Sequence, residues 1–149
     1  MTTDTDKVLI KFKLENGAVI PKYESLNSSG MDVRAIKEHT INPGCFELVP
    51  TGLFPEIPEG YEIQVRSRSG LAAKQGVFVL NSPGTVDSDY RGEIKVILAN
   101  IGSTPFIISA GDRIAQFVVS PVTKATAVSV ETISSTERGE GGFGSTGKN

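Results

Sequence analysis

The sequence predicts an all-β protein: a jelly-roll-like β-sandwich with one short helix and a flexible glycine-rich C-terminal tail. Three observations lead there. Apolar and polar residues alternate with a two-residue period in several short segments, most clearly where Tyr61, Ile63 and Val65 alternate with Glu62, Gln64 and Arg66. Turn signals punctuate the chain at Pro43-Gly44, Pro83-Gly84, Gly102-Ser103 and Ala110-Gly111-Asp112. Only the stretch 66–76 breaks the strand pattern in a way that suits a helix. Many short strands, frequent turns and almost no helix are the signature of a sandwich or jelly roll.

Taken in order, 1–7 is polar and reads as a frayed end. At 8–14, Val8, Ile10, Phe12 and Leu14 alternate with Leu9, Lys11 and Lys13, which reads as a strand. A loop at 27–30 leads to a short strand at 31–36 carrying Asp32 and Arg34; a solvated strand face accounts for those charges locally. Pro43-Gly44 turns the chain into a strand at 45–49, and 55–60 reads as a second turn before the strand at 61–66. The helix at 66–76 has Ser69 as its N-cap and Gly76 as its stop. Arg66 and Arg68 flank its start, where free N–H groups and the helix dipole favour an anion. An ordinary capped helix with surface arginines is the plainer reading.

The apolar run 77–80 and the alternating segment 94–99 bracket 81–93, which reads as a hairpin tip. That tip holds Asn81, Asp87, Asp89, Tyr90 and Arg91, more functional chemistry than a turn needs, although Asp favours turns in any case. The segment 113–119 reads as a strand with Ile114, Gln116 and Val118 on one face, and a satisfied core amide is the default for Gln116. A last strand is expected at 127–133. The division is therefore one domain over 1–133 and a tail over 134–149, whose composition alone suits a flexible linker. Within the tail, Arg138, Ser145, Thr146 and permissive glycine backbone could wrap phosphates, and Phe143 could stack on a base.

Composition narrows the function. A chain of 149 residues suits one domain with a real core. The formal charge of −2 argues against a general nucleic-acid binder, which would need a basic face. No apolar run reaches the length of a membrane span and no signal peptide precedes Val8, so no membrane role and a cytoplasmic location are expected. Cys45 is the only cysteine and His39 the only histidine. An intramolecular disulfide, Cys/His zinc clusters and Ser-His-Asp or Cys-His machinery are thereby excluded. Hydrolytic chemistry must rest on carboxylates, with any metal brought in by the substrate.

Five motifs stand in order along the chain: Ser29-Gly-Met-Asp-Val-Arg-Ala35, Arg68-Ser-Gly-Leu-Ala72, Gly84-Thr-Val-Asp-Ser-Asp-Tyr-Arg-Gly-Glu93, Arg113-Ile-Ala-Gln116 and Arg138-Gly-Glu-Gly-Gly-Phe-Gly-Ser-Thr-Gly147. Each alone is weak, but five at this spacing are specific. With them the chain resembles the trimeric dUTPases (deoxyuridine triphosphate nucleotidohydrolases) nearly end to end. The departures are small: Ser67 stands where many members have proline, Ser29 where many have alanine, and Thr85-Val86 where a bulkier aliphatic pair is usual. None removes a reacting group.

The resemblance implies a jelly-roll homotrimer with three active sites at subunit interfaces, the tail of one chain closing a site built by the other two. It implies hydrolysis of dUTP to dUMP and pyrophosphate with Mg²⁺ on the triphosphate, limiting uracil incorporation into DNA and supplying dUMP for dTMP synthesis. It assigns Asp87 to the attacking water. Asn81 and the backbone of Thr85, Val86 and Lys95 would read the uracil, and Tyr90 would pack where a 2′-hydroxyl would sit. Arg68, Ser69, Gly70 and Gln116 would hold phosphates, and Asp32 would support the metal shell through water. From the tail, Arg138, Gly144, Ser145 and Thr146 would reach the terminal phosphate while Phe143 covers the base. A dCTP deaminase-like enzyme and a non-catalytic nucleotide-binding regulator on the same fold remain as alternatives.

Overall fold

The structure, a computed structural model, describes residues 7–148, so the frayed end expected at 1–7 falls outside it except for Lys7. Eleven strands and one helix follow one another: β1 (Lys11–Leu14), β2 (Met31–Arg34), β3 (His39–Ile41), β4 (Phe46–Pro50), β5 (Leu53–Glu56), β6 (Tyr61–Arg66), α1 (Ser69–Gln75), β7 (Val77–Val79), β8 (Gly84–Val86), β9 (Lys95–Asn100), β10 (Phe106–Ile108) and β11 (Arg113–Pro121). A four-stranded sheet in the order β2-β11-β6-β8 and a three-stranded sheet in the order β4-β9-β7 form the main layers. The pairs β1-β5 and β10-β3 close the ends. Every pairing is antiparallel, as hairpin-rich chains without crossover helices require.

The core lies between these layers. Val33, Ile63, Val65, Ala115 and Phe117 from the larger sheet meet Val49, Val77, Val79, Val96 and Leu98 from the smaller one. Ile41, Ile108 and Leu53 from the flanking pairs complete the cluster. The alternation that predicted β6 is the cause: Ile63 and Val65 are buried while Glu62 and Gln64 are half-exposed on the other face. Antiparallel sheets with one face on a core produce this pattern.

Several local expectations change. The stretch 81–93 is more than a hairpin tip. Strands β7 and β9 do pair, Val79 opposite Leu98, but β8 leaves that hairpin and joins β6 in the other sheet, Val86 opposite Ile63. The turn expected at 55–60 is shortened because Pro55 and Glu56 belong to β5, paired with Phe12 and Lys11. Proline is tolerated there because β5 has a partner on one side only.

On β11 a register shift between Arg113 and Ala115 turns the strand. Ala115 and Phe117 then point into the core, and Gln116 lies half-buried on the opposite face, not as a core amide. The last strand expected at 127–133 is not formed. Among the described residues regular structure ends at Pro121, and the apolar side chains of Val128, Val130 and Ile133 stand exposed, because no strand of those residues runs beside them to share their backbone hydrogen bonds.

Candidate active site

One group of predicted residues converges where β8 and β9 diverge. Asn81, Thr85, Val86, Asp87, Tyr90 and Lys95 line an open cavity of about 200 Å³, together with Val65, Gly84, Glu93, Ile94 and Ile97. The topology explains the cavity. β8 is an edge strand of its sheet, so one row of its backbone N–H and C=O groups has no ladder partner. β7 covers β9 only from Leu98 to Asn100, with one further bond from Leu80 N to Ile97 O, so the β9 backbone at Lys95 is uncovered on that flank. Two uncovered backbone rows thus face one gap.

The far wall of the gap is braced. Thr51 Oγ1 donates to the Ile94 carbonyl at 2.6 Å, and Ile94 N donates to the Leu53 carbonyl at 2.9 Å. Gly52 N donates to Glu93 Oε2 at 3.0 Å. Tyr90 is 44% exposed, and its hydroxyl donates to the Glu93 carbonyl at 2.7 Å. Asp87 is exposed at the rim, and among the described residues no hydrogen bond or ion pair engages its carboxylate.

A second group gathers around β2, its neighbour β11 and the loop that follows β6. Asp32 lies on β2, and its side chain is only 17% exposed. Arg68 Nε stands 3.5 Å from Asp32 Oδ1, and Arg113 Nη1 stands 3.5 Å from Oδ2. Arg68 Nη1 also donates to the Arg113 carbonyl at 3.2 Å. Gln116, paired across the ladder with both Asp32 and Arg66, donates from Nε2 to the Ser67 carbonyl at 2.9 Å. Gly30 fits beneath it, where a Cβ would collide with the Gln116 amide oxygen.

Helix α1 starts beside this group, but Ser69 is not its N-cap as expected. Arg68 occupies that position with extended backbone and makes no side-chain cap bond, since its guanidinium is turned toward Asp32. Ser69 and Gly70 form the exposed first turn, which carries no acidic residue. Their N–H groups are among those a helix cannot satisfy internally. Gly76 ends the helix in the left-handed region at φ +67°, as its glycine suggests.

The tail residues form a third group, apart from both. Arg138 Nε donates to the Gly141 carbonyl at 2.7 Å, Ser145 N to Gly142 and Gly147 N to Gly144. Among the described residues, the hydrogen bonds of 136–147 are all to neighbours within that segment. Phe143, with φ +52°, is fully exposed, and Gly144, Ser145 and Thr146 follow it in exposed turns.

The structure thus sorts the predicted residues into three clusters. Asp32 on β2 lies at the other edge of the sheet from β8, three strand spacings or about 14 Å away, while Gln116 on β11 and the Arg68 loop after β6 lie between. Sequence reading gave no role to Arg113, Ser67 or Glu93, although all three lie within or beside the motifs. Ser67 Oγ accepts from Val79 N at 2.9 Å, which ties the Arg68 loop to β7. Arg113 opening a motif that ends in Gln116 was a usable signal.

A family model described as dUTPase matches residues 16–147. The chain belongs to the dUTPase family. A deoxyuridine 5'-triphosphate nucleotidohydrolase of Neorickettsia sennetsu is 59% identical over 130 residues, covering 86% of this chain and 87% of its own. One from Chlamydia trachomatis serovar L2 is 58% identical over 139 residues, covering 91% and 96%. Among solved structures, Staphylococcus bacteriophage 80alpha dUTPase with dUPNHPP matches with a TM-score of 0.82 at 26% identity, covering 94% of this chain and 99% of its own. A dUTPase variant from phage phi11 of S. aureus, described for its coordination of a structural Mg(II) ion, matches with a TM-score of 0.77 at 20% identity, covering 83% and 97%. At that identity the likeness bears on the fold alone.

Proposed function

We infer that this chain is a dUTP diphosphatase, hydrolysing dUTP to dUMP and pyrophosphate. The observation that carries the reading is the convergence of Asn81, Thr85, Val86, Asp87, Tyr90 and Lys95 on one cavity in a chain of this family. A volume of about 200 Å³ suits one heterocycle and falls below the range of whole drug-sized ligands. Uncovered backbone on β8 and at Lys95 offers donors and acceptors to a uracil edge, with Asn81 beside them. A base of the wrong polarity would leave these groups unpaired in a closed site, which is costly. Asp87, unengaged at the rim, is the carboxylate available to orient and deprotonate a water.

The phosphates need positive charge that this cavity lacks apart from Lys95 at its edge. Arg68, the first turn of α1 with Ser69 and Gly70, and the Gln116 amide supply such groups, but none of them lines the cavity. Arg138, Ser145 and Thr146 form a third set. Their separation supports a site completed by other copies of the chain, a homotrimer in which each copy contributes to three sites. The domain would then be 1–133, with 134–149 as an arm that closes a neighbour's site.

Among the described residues no group of three or more His, Cys, Asp or Glu side chains is placed to hold a metal ion. The donor set therefore fits an ion carried on substrate phosphates, with Asp32 contacting its water shell. Mg²⁺ prefers oxygen ligands and retains waters, so one nearby carboxylate is enough. When bound, Mg²⁺ neutralises charge on the phosphates. The chain's own residues then do mostly positioning, as in-line attack at phosphorus requires.

The test is pyrophosphate release from dUTP, dCTP, dTTP and UTP. Release from dUTP alone is expected. Conversion of dCTP to a deaminated nucleotide without pyrophosphate would support the deaminase alternative, and binding without turnover the regulator.

A further inference from the structure

Tyr90 is nearly half-exposed, so packing alone does not fix its ring. Two contacts do. Gly92 lies against the ring, close enough that a Cβ there would meet the hydroxyl at 2.6 Å, and the hydroxyl itself donates to the Glu93 carbonyl at 2.7 Å. Where the ring stands therefore depends on where that carbonyl stands. The carbonyl is set by the bonds joining 93–94 to 51–53. Two of these run to Ile94, from Thr51 Oγ1 and to the Leu53 carbonyl. The third uses the Glu93 side chain, whose Oε2 accepts from Gly52 N at 3.0 Å.

The donor is a fixed point. Gly52 is buried at φ +70°, and its Cβ position is blocked by Ile36 and by Ala18 at 2.9 Å, so only glycine fits and the N–H direction is locked. Leaving that N–H without an acceptor would be costly, which gives the Glu93 carboxylate a strong reason to stay.

We propose that Glu93 is a positioning residue for sugar selection: its carboxylate, held by Gly52, sets the carbonyl that holds the Tyr90 hydroxyl and so fixes the ring against the 2′ position of the nucleotide. Glu93 lines the same cavity as Asp87, but its carboxylate is engaged by Gly52 N. The proposal rests on the reading that Tyr90 excludes ribose. What it requires of residue 93 is an acceptor oxygen at the right reach, not a charge.

The experiment compares the ratio of kcat/KM for dUTP to that for UTP in the full chain and its Tyr90→Ala, Tyr90→Phe, Glu93→Gln, Glu93→Leu and Tyr90→Phe/Glu93→Leu variants. Glu93→Leu is expected to lower the ratio about tenfold, the effect of leaving the buried Gly52 N–H without its acceptor. Glu93→Gln should restore it, because an amide oxygen also accepts from Gly52. Tyr90→Phe should lower it by a similar factor, and the double variant should lose no more than the larger single, since both cut one chain of contacts.

A ratio unchanged in Tyr90→Ala would sink the underlying reading of Tyr90. A ratio lowered in Tyr90→Ala but not in Tyr90→Phe would overturn the Glu93 proposal alone, even if Glu93→Leu failed to fold. So would a Glu93→Gln variant as poor as Glu93→Leu, or additive losses in the double variant.

Discussion

Arg68 and Asp32 stand 3.5 Å apart, so the guanidinium expected to hold phosphate and the carboxylate expected to serve the metal shell face each other. Arg113 faces the other oxygen of Asp32 at the same distance. A bound triphosphate with its cation would exchange these contacts for new ones: phosphate to the guanidinium, cation waters to the carboxylate. Asp32→Asn is therefore expected to raise the Mg²⁺ concentration needed for half-maximal dUTP hydrolysis about tenfold, the size typical of outer-shell groups. A Mg²⁺ titration decides it; an unmoved midpoint removes Asp32 from the metal shell.

Asp87 differs from Asp32 in that no hydrogen bond or ion pair engages its carboxylate among the described residues, as suits a base that must accept a proton from water. Asp87→Asn should still bind dUTP, since the pocket's backbone rows are intact. Its single-turnover hydrolysis should fall about 10²–10⁴-fold. A rate within a few-fold of the parent would mean that another group activates the water.

The position of Gly30 under Gln116 gives a prediction about packing. The glycine is needed for space, because a Cβ there would strike the amide that Gln116 directs at the Ser67 carbonyl. Gly30→Ala should displace the amide and disturb the Arg68 loop. KM for dUTP should rise about tenfold, the effect of one misplaced hydrogen-bonding group. Nucleotide binding measured calorimetrically at parental affinity would show that the amide has room to move.

What was legible in the sequence follows from which interactions are local. The alternation at 61–66 reports a face against a core, and β6 formed where it was read. Gly76 reports a backbone conformation that little else adopts, and the helix stopped there. The strands β3 and β10 went unread because each is three residues long and exists only through the other, Ile41 opposite Phe106. The stretch 127–133 alternates like a strand, yet a strand also needs a neighbour, which periodicity does not supply. The site residues were found as a list because each sits in a motif. How they would distribute over the sheet and the tail depends on the order β2-β11-β6-β8, which no local pattern encodes.

That separation yields a prediction about assembly. If one site draws on several copies, an Asp87→Asn chain and a chain ending at Ile133 should each be inactive alone. Mixed after partial denaturation and refolding together, they should recover part of the parental activity, and sedimentation should report a trimer. An active monomer, or mixtures no better than either parent, would place a whole site in one chain.

The tail makes the strongest demand. Among the described residues its hydrogen bonds lie within 136–147, and Phe143 is fully exposed, so the folded body owes it little. A chain ending at Ile133 should therefore keep its circular dichroism spectrum and its melting temperature within a few degrees, because nothing buried is lost. Turnover is another matter. Polar residues and glycines give the segment little apolar surface with which to fix itself, so its order must come from what it binds. With nucleotide present, Phe143 can stack on the uracil while Arg138, Ser145 and Thr146 meet phosphate. Base stacking is worth roughly 1–3 kcal/mol, or about tenfold or more in affinity. Closure would also exclude bulk water and hold the triphosphate in line. Phe143→Ala should consequently lose at least about tenfold in kcat/KM, whereas Phe143→Trp should keep most of it, since a flat ring is what stacking requires. Steady-state hydrolysis of dUTP by the truncated and substituted chains measures this directly. Parental turnover from the truncated chain would reduce the segment to a linker.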